Sequence, residues 1–292
     1  MEIPTEEELL LIDERLANID LDVAVSMGYV RKAQGWSFST LSKRFAGVNT
    51  QLLQRYMQQG YACVRPIHFI AAYSWVTMVP MTSFYKGLKI RESYRGMDET
   101  GVEALICIAN MPHDLFSLAL QCIHCFLDEF GKKQVDTLKK CLEHEYGVFN
   151  EALYQFCSAP PIIDIDKFAA SYYRSIALTV TEFRKRHQLS PMTMARVLGL
   201  SEYKYRILED PDNPQPFSMA IGLRVKLGFK LDGHVQFTHC MKDYPEFHEY
   251  RKLQHIRDSL LIESLRYISE QQKPYVIGVI KGLATAHSSK RK

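Results

Sequence analysis

The sequence predicts an all-α protein, and three observations carry that expectation. Apolar residues recur at three- and four-residue intervals through most of the chain. Val, Ile and Thr do not alternate with polar residues over any run long enough for a convincing strand. Ser, Asn, Gly and Pro stand at the ends of the apolar runs, where helix caps and helix starts belong.

In chain order, residues 6–34 read as one or two helices, with Leu9, Leu16, Ile19, Val23, Met27 and Val30 on one stripe. Gly35 stops that run, and Ser37 caps a helix over 38–46. Gly47 makes a turn, Asn49 caps again, and a short helix covers 50–59. Pro66 opens a helix that ends near Val79-Pro80. In the middle, one helix is expected from about Asp114 to Phe130 and another from Gln134 to Tyr146, with Gly131-Lys-Lys as the turn. Ala159-Pro-Pro marks a boundary. Helices continue from Asp164 to about Leu231, and an amphipathic tail covers 245–272 until Pro274 breaks it. The basic end, Ser288 to Lys292, reads as frayed. The expected divisions are a basic segment, 1–97, an acidic helical middle, 98–163, a third segment, 164–235, and a helical tail, 236–292.

The net charge of +3 conceals a strong segregation. From Val23 to Arg91 there is no Asp or Glu, yet nine cations occur: Arg31, Lys32, Lys43, Arg44, Arg55, Arg65, Lys86, Lys89 and Arg91. Residues 1–22 hold eight carboxylates against one Arg, and residues 98–167 hold twelve against five Lys. An ordinary soluble surface mixes both signs. A module of one sign attracts a polyanion, of which nucleic acid is the commonest. The most apolar stretch, Pro66–Met81, is too short and too interrupted to span a bilayer, so no membrane partner is expected. The acidic amino-terminus is unlike a secretory signal, and seven scattered cysteines suggest reduced thiols in a cytoplasmic protein.

The most specific pattern lies in the third segment. Leu189-Ser190 precedes Pro191-Met-Thr-Met-Ala195, then Leu198-Gly199-Leu200-Ser201, with Glu209 eight residues on. Ser190 caps a helix whose first turn takes Pro191; Gly199 ends it in the left-handed conformation, and Ser201 caps the next. Ala195 is small where two helices cross closely. The basic segment repeats the plan more loosely. Tyr29 to Ser37 matches the first junction, Leu41 to Asn49 the first helix and turn, and Thr50 to Met57 the second helix.

This spacing resembles the repressor-like (Cro/repressor, xenobiotic-response-element) helix-turn-helix family over about fifty residues, Phe183 to Leu231. The resemblance implies two lambda-repressor-like helix-turn-helix domains joined by a helical middle. It also implies a bacterial or phage regulator that binds double-stranded DNA near the nucleoid, as a homodimer reading paired half-sites. Thr50, Gln51, Gln54 and Arg55 then become base-facing candidates, because Gln pairs with adenine and Arg with guanine. Arg31, Lys32, Lys43 and Arg44 take phosphates. In the second unit Ser201, Tyr203, Lys204 and Arg206 are the corresponding set. That unit departs from the family, which commonly has Gln first in both helices; here Pro191 and Glu202 stand there, and a carboxylate facing the groove is repelled by phosphates. A protein-interaction module of the same ancestry, antitoxin-like or adaptor, is the alternative. The acidic middle is where a protein or small-molecule effector would act.

Cys122, Cys125, Cys141 and His144 have a spacing that zinc accepts, but they fall inside expected helices rather than at turns, so no metal is assigned. No phosphate-cradling Gly-rich loop, G-x-S-x-G or H-E-x-x-H occurs, so neither an enzyme nor a cofactor is expected.

Overall fold

The computed structural model describes residues 2–61, 64–84, 99–109, 111–148, 151–231 and 235–289. Among them the chain is all-α apart from one two-stranded pairing. The first part comprises α1 (Glu6–Leu16), α2 (Ile19–Ala33), α3 (Phe38–Ser42), β1 (Phe45–Ala46), α4 (Thr50–Tyr56) and α5 (Ile67–Thr77). The middle has α6 (Glu99–Ile108), α7 (His113–His124), α8 (Glu129–Tyr146) and α9 (Glu151–Phe156). Then follow β2 (Ile163–Asp164), α10 (Ile165–Arg186), α11 (Pro191–Leu198), α12 (Glu202–Leu208) and α13 (Met219–Gly228), and finally α14 (Pro245–Arg266) and α15 (Lys273–Ser289).

The helix starts follow from their caps. Thr5 and Glu8 form a reciprocal capping box at α1. The side chains of Ser37, Asn49, Ser190 and Ser201 each accept a backbone N–H in the first turn of α3, α4, α11 and α12. Gly199 takes φ 67°, and a Cβ there would lie 2.8 Å from the Arg224 guanidinium carbon. Both the backbone conformation and the space therefore require glycine.

Two expected boundaries are corrected. The helix over 38–46 stops at Ser42, because Phe45–Ala46 instead pairs in parallel with Ile163–Asp164, and the Ile163 N–H donates to the Arg44 carbonyl at 2.8 Å. Gly131 is not a turn but lies in the first turn of α8. Asp128 caps that helix by accepting the Gly131 N–H at 2.7 Å, and the Tyr267 side chain fills the space where a Cβ would be. Pro274 opens α15 rather than merely ending the tail, as a proline in a first turn can.

Two main cores organise these helices, with a small third cluster of Leu142, Ile256 and Leu260 between α8 and α14. The larger joins α1–α5 to α10–α13 and the first half of α14. At its centre is α5, apolar on every side and buried at every position but His68. Trp75 is ringed by Phe168, Tyr244, Phe247 and Tyr250, and its indole N–H donates to the Cys157 carbonyl at 2.8 Å. The smaller core joins α6, α7, the second half of α14 and α15. The 22 residues of α14 contribute side chains to both.

The two short-helix pairs, α3–α4 and α11–α12, meet through the segments that follow them. Pro66 and Ser218 form an antiparallel bridge, and the Ile67 N–H donates to the Phe217 carbonyl at 3.2 Å. Pro66 begins α5 and Ser218 begins α13, the corresponding helices of the two segments, so like meets like. Gly222 lets α13 approach Ile67 closely, since a Cβ there would come 2.5 Å from its Cδ1.

Candidate nucleic-acid interface

The surface of α4 follows from its seven residues. Leu53 is buried, and Leu52 and Tyr56 are half-buried. Thr50, Gln51, Gln54 and Arg55 are left on the exposed face. Their i, i+3, i+4 spacing aligns Gln51, Gln54 and Arg55 on one side. The Arg55 guanidinium lies 5.6 Å from the Tyr61 ring centroid.

The structure divides the nearby cations into two kinds. Lys32 and Lys43 are exposed. Arg31 and Arg44 are half-buried, and their guanidinium groups are committed to backbone oxygens. Arg31 donates to the Trp36 carbonyl and lies 4.1 Å from the Phe38 ring centroid, which fixes the turn between α2 and α3. Arg44 donates to Pro161 O at 2.6 Å and Pro160 O at 2.8 Å, tying β1 to the chain just before β2. Burial lowers the Arg44 pKa from its ordinary value. Arg65 is buried and donates to the Tyr56 and Gln58 carbonyls, closing the C-terminal end of α4. Among the described residues, Arg31, Lys32, Lys43, Arg44 and Arg55 form no ion pair with a carboxylate. Lys86, Lys89 and Arg91 lie outside the described residues.

The second pair is built differently. Arg184 of α10 donates to both Glu209 carboxylate oxygens, at 2.7 and 3.2 Å, and the Tyr205 hydroxyl donates to the same carboxylate at 2.7 Å. This half-buried network fixes the end of α12 against α10. Burial and the bond to Glu209 push the Tyr205 pKa up. On the exposed face, Arg206 is paired with Glu202 at 2.7 Å. The Ser201 hydroxyl caps α12, while Lys204 is exposed and Tyr203 is 75% exposed.

A further feature was not anticipated from the sequence. The acidic α1 lies against the second pair. Glu6 meets Arg196 at 3.1 Å, Asp13 meets Arg224, and Lys230 lies 3.4 Å from Glu2 and 3.3 Å from Glu8. The eight carboxylates of residues 1–22 were the available signal, but nothing in their spacing names a partner so far along the chain.

Cys122, Cys125, Cys141 and His144 do not converge. Cys125, Cys141 and His144 are exposed, and among the described residues no three His, Cys, Asp or Glu side chains gather as metal ligands. Among the described residues no helix is long and apolar enough to cross a membrane. No protein-family model, no curated protein and no solved structure matches this chain.

Proposed function

We propose that the protein is a sequence-specific DNA-binding regulator. The α3–α4 pair forms a helix-turn-helix unit whose α4 lies in the major groove. The observation that carries this reading is the exposed face of α4. It presents two Gln and one Arg capable of bidentate base contacts, and among the described residues the exposed Lys32 and Lys43 form no ion pair with a carboxylate. Lys32 and Lys43 take phosphates. Arg31 and Arg44 leave that role, because they hold the turn and strand that orient α4. The α11–α12 pair serves as the second unit of the same ancestry and acts chiefly as a buttress, since Glu202 offsets Arg206 on its outer face. One chain thus carries one strong reading helix, and two chains supply the paired half-sites of a symmetric operator. A bacterial or phage setting, cytoplasmic and nucleoid-associated, fits this reading.

Selection of bound sequences from a random duplex pool, followed by affinity measurement, tests it. Gln54→Ala with Arg55→Ala should weaken the selected site by about tenfold to a hundredfold, because each good bidentate contact carries about 1–3 kcal/mol of discrimination. Lys43→Ala should weaken all duplexes alike and reduce the salt slope by about 1. No enrichment of any sequence, or full affinity in the double variant, would overturn the assignment. A second reading has one observation in its favour: Tyr203 is 75% and Met192 67% exposed on the second pair, an apolar surface suited to a protein partner. Retained partner binding after Tyr203→Ala counts against it.

A further inference from the structure

A cleft of about 1250 Å3 opens between α1 on one side, α8 and α14 on the other, and the C-terminal end of α13. It shares no lining residue with α3 or α4. Small-molecule sites commonly enclose about 300–1,000 Å3, so a metabolite-sized molecule fits with water around it. The cleft lies between the two cores and is lined by members of each, Ile12 and Phe229 of the larger and Ile262 of the smaller.

Its walls combine two chemistries. Leu11 and Ile12 of α1 face the cleft, as do Leu138 and Leu142 of α8 and Ile262 of α14. Leu11 remains 44% exposed, apolar surface that a ligand would cover. Five cations line the same space, Arg15, Lys226, Lys230, Lys252 and Arg266, against the three carboxylates Glu8, Glu145 and Glu263. Glu8 is paired with Lys230 at 3.3 Å and Glu263 with Arg266 at 3.2 Å, while Lys252 is paired with Glu249 of its own helix at 2.9 Å.

One cation matters most. Arg15 is half-buried and makes no hydrogen bond or ion pair among the described residues. A guanidinium partly removed from water presents five donors in a fork that suits a carboxylate or phosphate. Lys226 is only 5% exposed, at the cleft's α13 wall. His248 adds a neutral group. Burial lowers its pKa to about 4, Thr238 Oγ1 lies 3.0 Å from its Nδ1, and its Nε2 makes no hydrogen bond among the described residues.

We propose that this cleft binds a small organic anion with an apolar body. The carboxylate or phosphate group lies towards Arg15, and the apolar body lies against Leu11, Leu142 and Ile262. Such a ligand touches α1 and α14 together. It therefore bridges the acidic helix that pairs with the second short-helix pair and the helix that spans both cores. The site is independent of the DNA-binding reading and stands or falls without it.

Anilinonaphthalene sulfonate, itself an apolar anion, is a suitable probe for the full chain. Its fluorescence should rise saturably with one molecule bound per chain. Decanoate should displace it, and decanol at the same concentration should not. Arg15→Glu should weaken binding by about tenfold or more, the loss of a charge-assisted contact together with new repulsion, while far-ultraviolet dichroism and thermal midpoint stay unchanged. Arg15→Glu is the decisive variant. Lys32→Glu, on the other surface, should bind the probe normally. Equal binding by Arg15→Glu, equal displacement by decanol, or a linear rise without saturation would each overturn the proposal. Because no DNA is present, failure here leaves the reading of α4 untouched.

Discussion

The arginines around the two short-helix pairs are answered in different ways. In the first, Arg31 and Arg44 donate to carbonyl oxygens of Trp36, Pro160 and Pro161. Around the second, Arg184, Arg196, Arg206 and Arg224 meet the carboxylates of Glu209, Glu6, Glu202 and Asp13, and three of them also donate to the carbonyls of Leu189, Pro4 and Val197. A carbonyl satisfies the donors of a guanidinium but leaves its full charge, whereas a carboxylate cancels it. The lack of Asp and Glu from Val23 to Arg91 therefore has a structural reading. Around the first pair Arg31 and Arg44 act as fasteners that keep their field, and around the second the arginines meet carboxylates and lose it.

The sharpest way to break this comparison is to remove one arginine of each kind and measure stability. Arg44→Ala removes an exposed bond to the Pro161 carbonyl and a part-buried one to Pro160 and frees the segment before β2, so unfolding free energy should drop by about 1–2 kcal/mol. Arg206→Ala removes an exposed pair with Glu202 at 2.7 Å on the same helix, and should cost under about 1 kcal/mol. Urea denaturation of the two variants compares them directly. Equal losses would mean that the carbonyl-bound arginines are no more structural than the paired ones.

Acid should act on the junctions between elements rather than on either pair. His68 of α5 is hydrogen-bonded to the Tyr173 hydroxyl at 2.8 Å, and burial lowers its pKa to about 4, as it does for His248. The unfolded chain takes up these protons near the ordinary value of 6.5 and the folded chain does not. Their contribution is thus fully present above 6.5 and is lost as pH falls towards 4. Each histidine should lower stability by about 1 kcal/mol at about pH 5.5. Chemical denaturation at a series of pH values should show that slope. A variant with both His68→Gln and His248→Gln should flatten it between 6.5 and 4.5, above the range where the lowered carboxylates such as Glu8 and Glu129 protonate.

Much of this arrangement is local and therefore legible in the sequence. Ser37, Asn49, Ser190, Ser201 and Gly199 act within four residues of themselves, and each caps or ends the helix expected of it. The exposed face of α4 follows from the same periodicity. What is illegible is long-range or uses the backbone. The Arg44 bonds reach 116 and 117 residues along the chain to carbonyls, which every residue possesses and no composition marks. The pairing of Phe45–Ala46 with Ile163–Asp164 is too short to leave an alternating pattern. Gly131 misled because glycine usually ends helices. Its role here is steric, making room for Tyr267 from a distant helix, and only the packing of α8 on that residue shows it.

The smallest expected effect is the most diagnostic for the contrast in charge. If α1 silences the second pair by neutralising it, then Glu6→Gln with Asp13→Asn should release Arg196 and Arg224 without disturbing the first pair. Affinity for duplex DNA of arbitrary sequence should then rise a few-fold at low salt. The slope of log affinity against log salt should steepen by up to about 1, through Arg196, because the Arg224 side chain is only 12% exposed. Sequence preference should stay as it is, because α4 is unchanged. An unaltered slope would show that those arginines face away from DNA even when unpaired. The difference between the two pairs would then lie in the side chains of α4 and α12, Gln54 and Arg55 against Glu202 and Tyr203, and not in the acidic helix that covers one of them.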